Sequence, residues 1–355
     1  MALNGDITKL LILDRPGYFR VLIQNLLKSQ SDMTIRVLGN HHPLSKEALL
    51  EFQPNVLLLT IDSVSVDVIR LTRTILDFYP CPIILIHGLA NSNCSQIIDA
   101  MATPWQNGAV DCFPLSILSS EMDTERLRQE LSTCIRLWSR RGLPPYFTHF
   151  YQNATWLQNT HPPPLKDKTP IDLTIIASAI GGLGILPQLL KQIGPRPWPI
   201  VINQKINDGL SLEYIHHLKN KSGLQILSGE SGQILLPETV ILIPSEFCGI
   251  IRRDEQGFLR LHFQYQSGCH TPMGVDFLFQ SASENAHHPI GIVLTGFGSE
   301  GEQGAASFFK KGFPLLVQNP TTCLADELPK RAIQHNPDAL CMTISQIANY
   351  LTEAA

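Results

Sequence analysis

The chain has 355 residues, of which 16% are charged and 44% hydrophobic, with a formal net charge of −4. That length accommodates two ordinary domains with separate cores, and the composition excludes a disordered chain. The acidic balance argues against nucleic acid as a partner, and no apolar run reaches membrane-spanning length without a charge or a proline.

The eight cysteines are scattered singly with no CxxC pair. That spacing offers neither a metal site nor a disulfide framework, and it fits reduced thiols in a cytoplasm. The opening MALNGDITKLLILD carries an acid and no cleavage-site pattern, so it does not read as a signal peptide. A cytoplasmic protein without metal or cofactor is expected.

Strand and helix signals alternate over the first 140 residues. Lys9–Leu13 (KLLIL) reads as a buried strand, Tyr18–Leu27 as a helix, Ile35–Leu38 as a short strand and Ser45–Phe52 as a helix. Val56–Ile61 (VLLLTI) and Pro82–Ile86 (PIILI) are further buried strands, separated by a helix over Val66–Phe78. A helix around Gln96–Met101, a strand in Gly108–Phe113 and a helix over Glu125–Trp138 complete the set. Continuous apolar strands between amphipathic helices specify a parallel, doubly wound sheet. The alternation lapses from Arg140 to Thr169, where prolines and charges mark a linker. Its aromatic residues Tyr146, Phe147, Phe150, Tyr151 and Trp156 are expected to pack between the domains.

A second alternating set follows Pro170, with strands at Leu173–Ser178, Ile200–Asn203, Gly223–Leu227, Val240–Ile243, Leu259–Phe263, Gly291–Leu294 and Pro314–Gln318. Helices follow the first two strands, cover Val275–Glu284 and Gly301–Lys310, and close the chain at Ile344–Leu351. Thr239–Pro244 with Cys248–Phe263, around the turn Asp254-Glu255-Gln256-Gly257, reads as a β-hairpin within the domain. The expected organisation is thus α/β throughout: residues 1–140, a linker at 141–169, and residues 170–355. The organising stretch is Leu173–Leu190, LTIIASAIGGLGILPQLL, a strand, a glycine turn and a helix. Such a turn holds one side chain at the carboxyl end of a parallel strand, where a hydrolase carries its nucleophile.

Several segments in order carry a resemblance. They are the serine-turn region, Ile202-Asn203-Gln204 before Asp208-Gly209, Thr239–Pro244, Pro272 with Val275–Phe279, Gly291–Gly298, and Leu328-Pro329. With these residues the chain resembles the chemotaxis protein-glutamate methylesterase family, CheB, over nearly its whole length. The resemblance implies a receiver-like, flavodoxin-like first domain and a mostly parallel methylesterase-like second domain with a Ser-His-Asp triad. It implies protein partners, chemoreceptors or a histidine-kinase signalling complex, with no nucleic acid and no membrane insertion.

The implied chemistry does not carry over position by position. The family's nucleophile sits in G-A-S-T-G-G; anchoring on Gly181-Gly182 places Ala179 at the serine and Ile180 at the threonine. The base lies in Q-H-M-P-P-G-F, and Gln204–Leu210 places Lys205 at the histidine. The third member lies in T-G-M-G-x-D-G, and Thr295–Gly301 places Glu300 at the aspartate. Alanine removes the nucleophile outright, and lysine replaces a group titrating near neutrality by one that stays protonated unless buried.

In the receiver-like domain, two acids after the first strand hold Mg²⁺ in the family; here Asp14 is followed by Arg15. Thr60 stands at the phosphoacceptor, with Asp62 two residues on. His87 or Gly88 replaces the following Ser/Thr, and Leu115 the lysine. The histidine pairs His41-His42, His216-His217 and His287-His288 suit solvated surfaces. His262 and His270 lie off every family catalytic position.

Three readings stay open at this point. In the first, a non-catalytic CheB-like protein acts by protein contact. In the second, a residual esterase or amidase uses Ser178, one residue before the elbow, with Lys205 and Glu300. In the third, a pocket around Ile180, Gly181 and Phe297 binds an anion or side chain without turning it over.

Overall fold

The computed structural model describes residues 7–15, 17, 19–39, 45–61, 66–88, 98, 109–115, 121–143, 170–179, 181–206, 210–245, 247–265, 274–298 and 300–354. Two compact units divide the chain, 1–154 and 155–355.

The first unit runs β1 (Thr8–Asp14), α1 (Phe19–Leu27), β2 (Met33–Gly39), α2 (Lys46–Phe52), β3 (Val56–Ile61) and α3 (Val66–Phe78). It continues through β4 (Ile83–Gly88), β5 (Asp111–Leu115) and α4 (Glu121–Arg141). The strands form one sheet in the order β2-β1-β3-β4-β5, parallel at every pairing. Every residue of β3 is buried, as its unbroken apolar run requires of a central strand covered on both faces. Helix α4 buries Leu127, Leu131, Cys134, Ile135 and Trp138, a single stripe at helical spacing. The expected helix at Gln96–Met101 lies outside the described residues apart from Ile98, and the linker aromatics lie wholly outside them.

The second unit runs β6 (Leu173–Ser178), α5 (Gly182–Ile193), β7 (Ile200–Gln204), α6 (Ser211–Ser222), β8 (Gln225–Ser228), β9 (Gln233–Ile234) and β10 (Thr239–Leu242). It continues through β11 (Phe247–Arg253), β12 (Leu259–Tyr265), α7 (Gly274–Asn285), β13 (Pro289–Val293), α8 (Glu302–Lys311) and β14 (Leu315–Gln318). A short 3₁₀ turn, α9 (Glu327–His335), β15 (Leu340–Met342) and α10 (Ile344–Glu353) complete it. Seven strands form a parallel sheet in the order β15-β14-β13-β6-β7-β10-β8, and β11-β12-β9 form a separate antiparallel sheet. One expectation is corrected here: Thr239–Leu242 pairs in parallel with β7 and β8, and the hairpin is β11 with β12 alone. The alternation of Gly249 with Ile251 and of Leu259 with Leu261 toward the core docks the small sheet on the apolar cluster that also holds Ile241 and Ile243.

Helix α5 carries Pro187 in its interior, which removes the N–H that would bond the carbonyl of Leu183. The buried Tyr214 hydroxyl of α6 donates to that carbonyl at 3.0 Å, so the helix continues without an orphaned acceptor.

Candidate functional site

Each parallel sheet changes direction at one point, and a crevice opens there beyond the carboxyl ends of two strands. In the second unit that point lies between β6 and β13, in the first between β1 and β3. Asp14 and Thr60 stand at the ends of β1 and β3, and Ala179 and Glu300 follow the ends of β6 and β13, with Lys205 just after the adjacent β7.

In the second unit β6 ends at Ser178, and Gly181 turns the chain into α5 with φ of 86°. A side chain at Gly181 would meet the Leu324 Cβ at 2.8 Å and the Thr295 Oγ1 at 3.0 Å, so the left-handed turn and the close approach both call for glycine. Ala179 occupies the elbow. Its N–H donates to Thr295 O at 3.1 Å, and the Ala179 Cβ lies 3.1 Å from where a Cβ on Gly296 would stand. The position read as the nucleophile therefore presents a methyl group to the Thr295-Gly296 turn.

Ser178 points elsewhere. Its Oγ is buried and has no hydrogen-bond partner among the described residues, and the same holds for the Gln204 Oε1. A methyl on Gly182 would lie 1.7 Å from the Ser178 Oγ and 2.3 Å from the Gln204 Oε1, which puts both oxygens against the first turn of α5. The Gln204 Nε2 donates to Ala179 O at 3.0 Å and to Lys205 O at 2.7 Å, tying the elbow to the end of β7. Gln204 is a residue the sequence named only as part of a motif; its amide organises the turn.

Lys205 is held by its backbone, whose N–H donates to Ser178 O at 3.1 Å, while its side chain is exposed. Among the described residues, no carboxylate lies within 4.0 Å of its amine. Glu300, half-buried, accepts from Val275 N at 3.1 Å at the start of α7. Burial pushes its carboxyl up from the ordinary value; the Val275 N–H and the Lys205 charge oppose that rise, and Asp276 adds to it. Asp276 in turn accepts from Gly304 N at 2.7 Å in the first turn of α8. The two acids thus cap each other's neighbouring helices, α7 and α8. Among Ser178, Lys205 and Glu300, the hydrogen bond that joins two of them is the backbone contact from Lys205 N–H to Ser178 O, and Lys205 and Glu300 interact through charge. Gly181 and Phe297 are both half-buried, and Ile180 lies outside the described residues.

In the first unit Asp14 is buried at the end of β1, directly across from Thr60 in the register of β1 and β3. The Thr60 Oγ1 donates to the Asp14 Oδ1 at 2.8 Å and to Leu13 O at 3.2 Å. The same carboxylate accepts from Gly17 N at 3.2 Å and from Arg20 N at 2.9 Å in the first turn of α1. Four lone-pair sites thereby serve three donors among the described residues, and Arg15 is exposed. His87 is buried in β4, Leu115 ends β5, and Asp62 lies outside the described residues. Among the described residues no group of three His, Cys, Asp or Glu side chains could hold a metal ion.

A profile of the CheB methylesterase family matches residues 174–351. A protein-glutamate methylesterase/protein-glutamine glutaminase of Shewanella sp. strain MR-7 is 25% identical over 350 residues, covering 97% of each chain. The CheB methylesterase catalytic domain of Thermotoga maritima matches at 24% identity with a TM-score of 0.47, over 53% of this chain and 100% of that one. The response regulator domain of Thermotoga maritima CheB matches at 21% identity with a TM-score of 0.30, over 38% of this chain and 97% of that one. With its profile match spanning half the sequence, this chain belongs to the CheB methylesterase family.

Proposed function

We propose that this chain is a non-catalytic member of its family, acting by protein contact in a chemoreceptor-type signalling pathway in the cytoplasm. The observation that carries the reading is the elbow itself: Ala179 supplies no nucleophile, and the neighbouring hydroxyl of Ser178 is buried against Gly182 and Gln204. No adjacent base can activate a side chain that has no oxygen. Loss of such a nucleophile leaves only the acceleration that binding and an oxyanion hole supply. The receiver-like region, residues 1–140, is joined by a linker over 141–169 to the methylesterase-like region, 170–355. Its phosphoacceptor position is Thr60, whose hydroxyl is spent on Asp14. Without an acceptor carboxylate and a second acid, phosphorylation cannot switch this domain, so its contacts are constitutive.

The curated relatives are named for glutamate methyl ester hydrolysis and glutamine deamidation. A peptide carrying a glutamate γ-methyl ester is therefore the test substrate. No methanol is expected above the uncatalysed rate, and treatment with acetyl phosphate and Mg²⁺ is expected to leave the intact mass unchanged. Methanol release lost on Ser178→Ala substitution would replace this reading with a Ser178–Lys205–Glu300 hydrolase.

A further inference from the structure

A lysine at the family's histidine position changes which side-chain chemistry this crevice favours. Lys205 is anchored on both sides of its Cα, by its N–H to Ser178 O and by its carbonyl to the Gln204 amide. Its backbone is fixed at the elbow while its ammonium stays in solvent with no carboxylate inside 4.0 Å among the described residues. The acid whose titration feels the Lys205 charge, Glu300, has one oxygen committed to the N–H of Val275 at the start of α7. Among the described residues, nothing lies within 4 Å of where a side chain at Gly298 would begin. The elbow residue, Ala179, carries only a methyl group, which neither attacks a carbonyl nor donates a hydrogen bond.

The reactions named for the relatives start from two neutral side chains, a glutamate ester and a glutamine, and both end in one anion, the glutamate carboxylate. An elbow without a nucleophile, beside an exposed lysine that has no carboxylate within 4.0 Å among the described residues, is suited to the end of that sequence rather than its beginning. Resting on the non-catalytic reading above, we propose that this crevice binds the side-chain carboxylate of a protein glutamate in preference to its methyl ester or its amide, with Lys205 as the discriminating group. The protein then reports which receptor side chains are already charged. One charge-assisted hydrogen bond is worth about tenfold in affinity, and a contact at this exposure weakens as salt rises.

The test uses the full chain and three otherwise identical blocked pentapeptides, Ala-Ala-X-Ala-Ala, where X is glutamate, glutamine or glutamate γ-methyl ester. Binding is followed by NMR on lysines carrying ¹³C-methyl groups, the Lys205 signal being assigned by its loss in Lys205→Met. The glutamate peptide is expected to shift that signal saturably, with a dissociation constant about tenfold below those of the neutral peptides. In an untagged binding titration the preference is expected to vanish in Lys205→Met and persist in Lys205→Arg. Equal binding of all three peptides, binding of none, or a preference that survives in Lys205→Met overturns the proposal. Methanol appearing from the ester peptide overturns the non-catalytic reading instead, so the two failures are distinguishable.

Discussion

Gly182→Ala probes where the Ser178 hydroxyl sits. Gly182 is the first residue of α5, and alanine there would gain about 1 kcal/mol from helix propensity alone. Against this, the new methyl would stand 1.7 Å from the Ser178 Oγ and 2.3 Å from the Gln204 Oε1. The serine can rotate. Gln204 cannot move as cheaply, because its amide holds the carbonyls of Ala179 and Lys205. Overpacking costs about 1–3 kcal/mol, and each amide bond lost adds about 1 kcal/mol. The steric loss therefore outweighs the propensity gain, and a net destabilisation of about 2 kcal/mol is expected in urea unfolding. Adding Ser178→Ala removes the closest clash, so the double variant should recover at least about 0.5 kcal/mol relative to additivity. A stabilised Gly182→Ala, or strict additivity with Ser178→Ala, would refute the placement of the hydroxyl beneath α5.

Other outcomes follow from single hydrogen bonds and one buried acid. Tyr214→Phe leaves the Leu183 carbonyl without the donor that Pro187 cannot supply, and should cost about 1–3 kcal/mol in urea unfolding. Thr60→Val keeps the shape of a buried side chain but removes its bond to the Asp14 carboxylate, a loss of about 1.5–3 kcal/mol by the same measurement. Burial pushes the Asp111 carboxyl up from 3.8 to about 6, despite the Cys134 thiol and Cys112 N–H that bond it. Its raised pKa means the folded state favours the protonated form, so its contribution is present below about pH 4 and lost as pH rises through about 6. Relative to Asp111→Asn, the native chain should lose at most about 3 kcal/mol of stability between pH 4 and pH 8. A pH-independent difference between the two would contradict a buried, destabilised carboxylate.

The parallel strands were legible because each is an unbroken apolar run, and the helices because their buried residues recur at three and four. The elements that escaped were short or disguised. β9 has 2 residues and β15 has 3, too few to show a period. Helix α9 carries Pro329, which reads as a breaker, yet it stands in the first turn where a missing N–H costs nothing. The hairpin partner was misjudged because Thr239–Leu242 has the same β-branched composition whether it pairs in a parallel sheet or turns back on itself.

At the two crevices, the sequence registers a substitution but not what a retained acid does next. Asp14 and Glu300 both survive as carboxylates, and both accept backbone N–H groups at helix starts, Arg20 of α1 and Val275 of α7. Those partners come from other segments of chain, and no spacing in the sequence encodes them. The Glu300 carboxylate, one methylene longer than the aspartate of the family pattern, accepts from the N–H of Val275 at the start of α7. The partnerless Ser178 and Gln204 oxygens follow the same rule, since their contact depends on the register of β6 against β7.

The most direct measurement is the intact mass of the full chain after prolonged exposure to a fluorophosphonate, which modifies only an activated, accessible nucleophile. With Ala179 at the elbow and the Ser178 hydroxyl buried, the mass should stay unchanged under conditions that fully modify a relative with serine at that position. A stoichiometric adduct that maps to Ser178 and disappears in Ser178→Ala would contradict it.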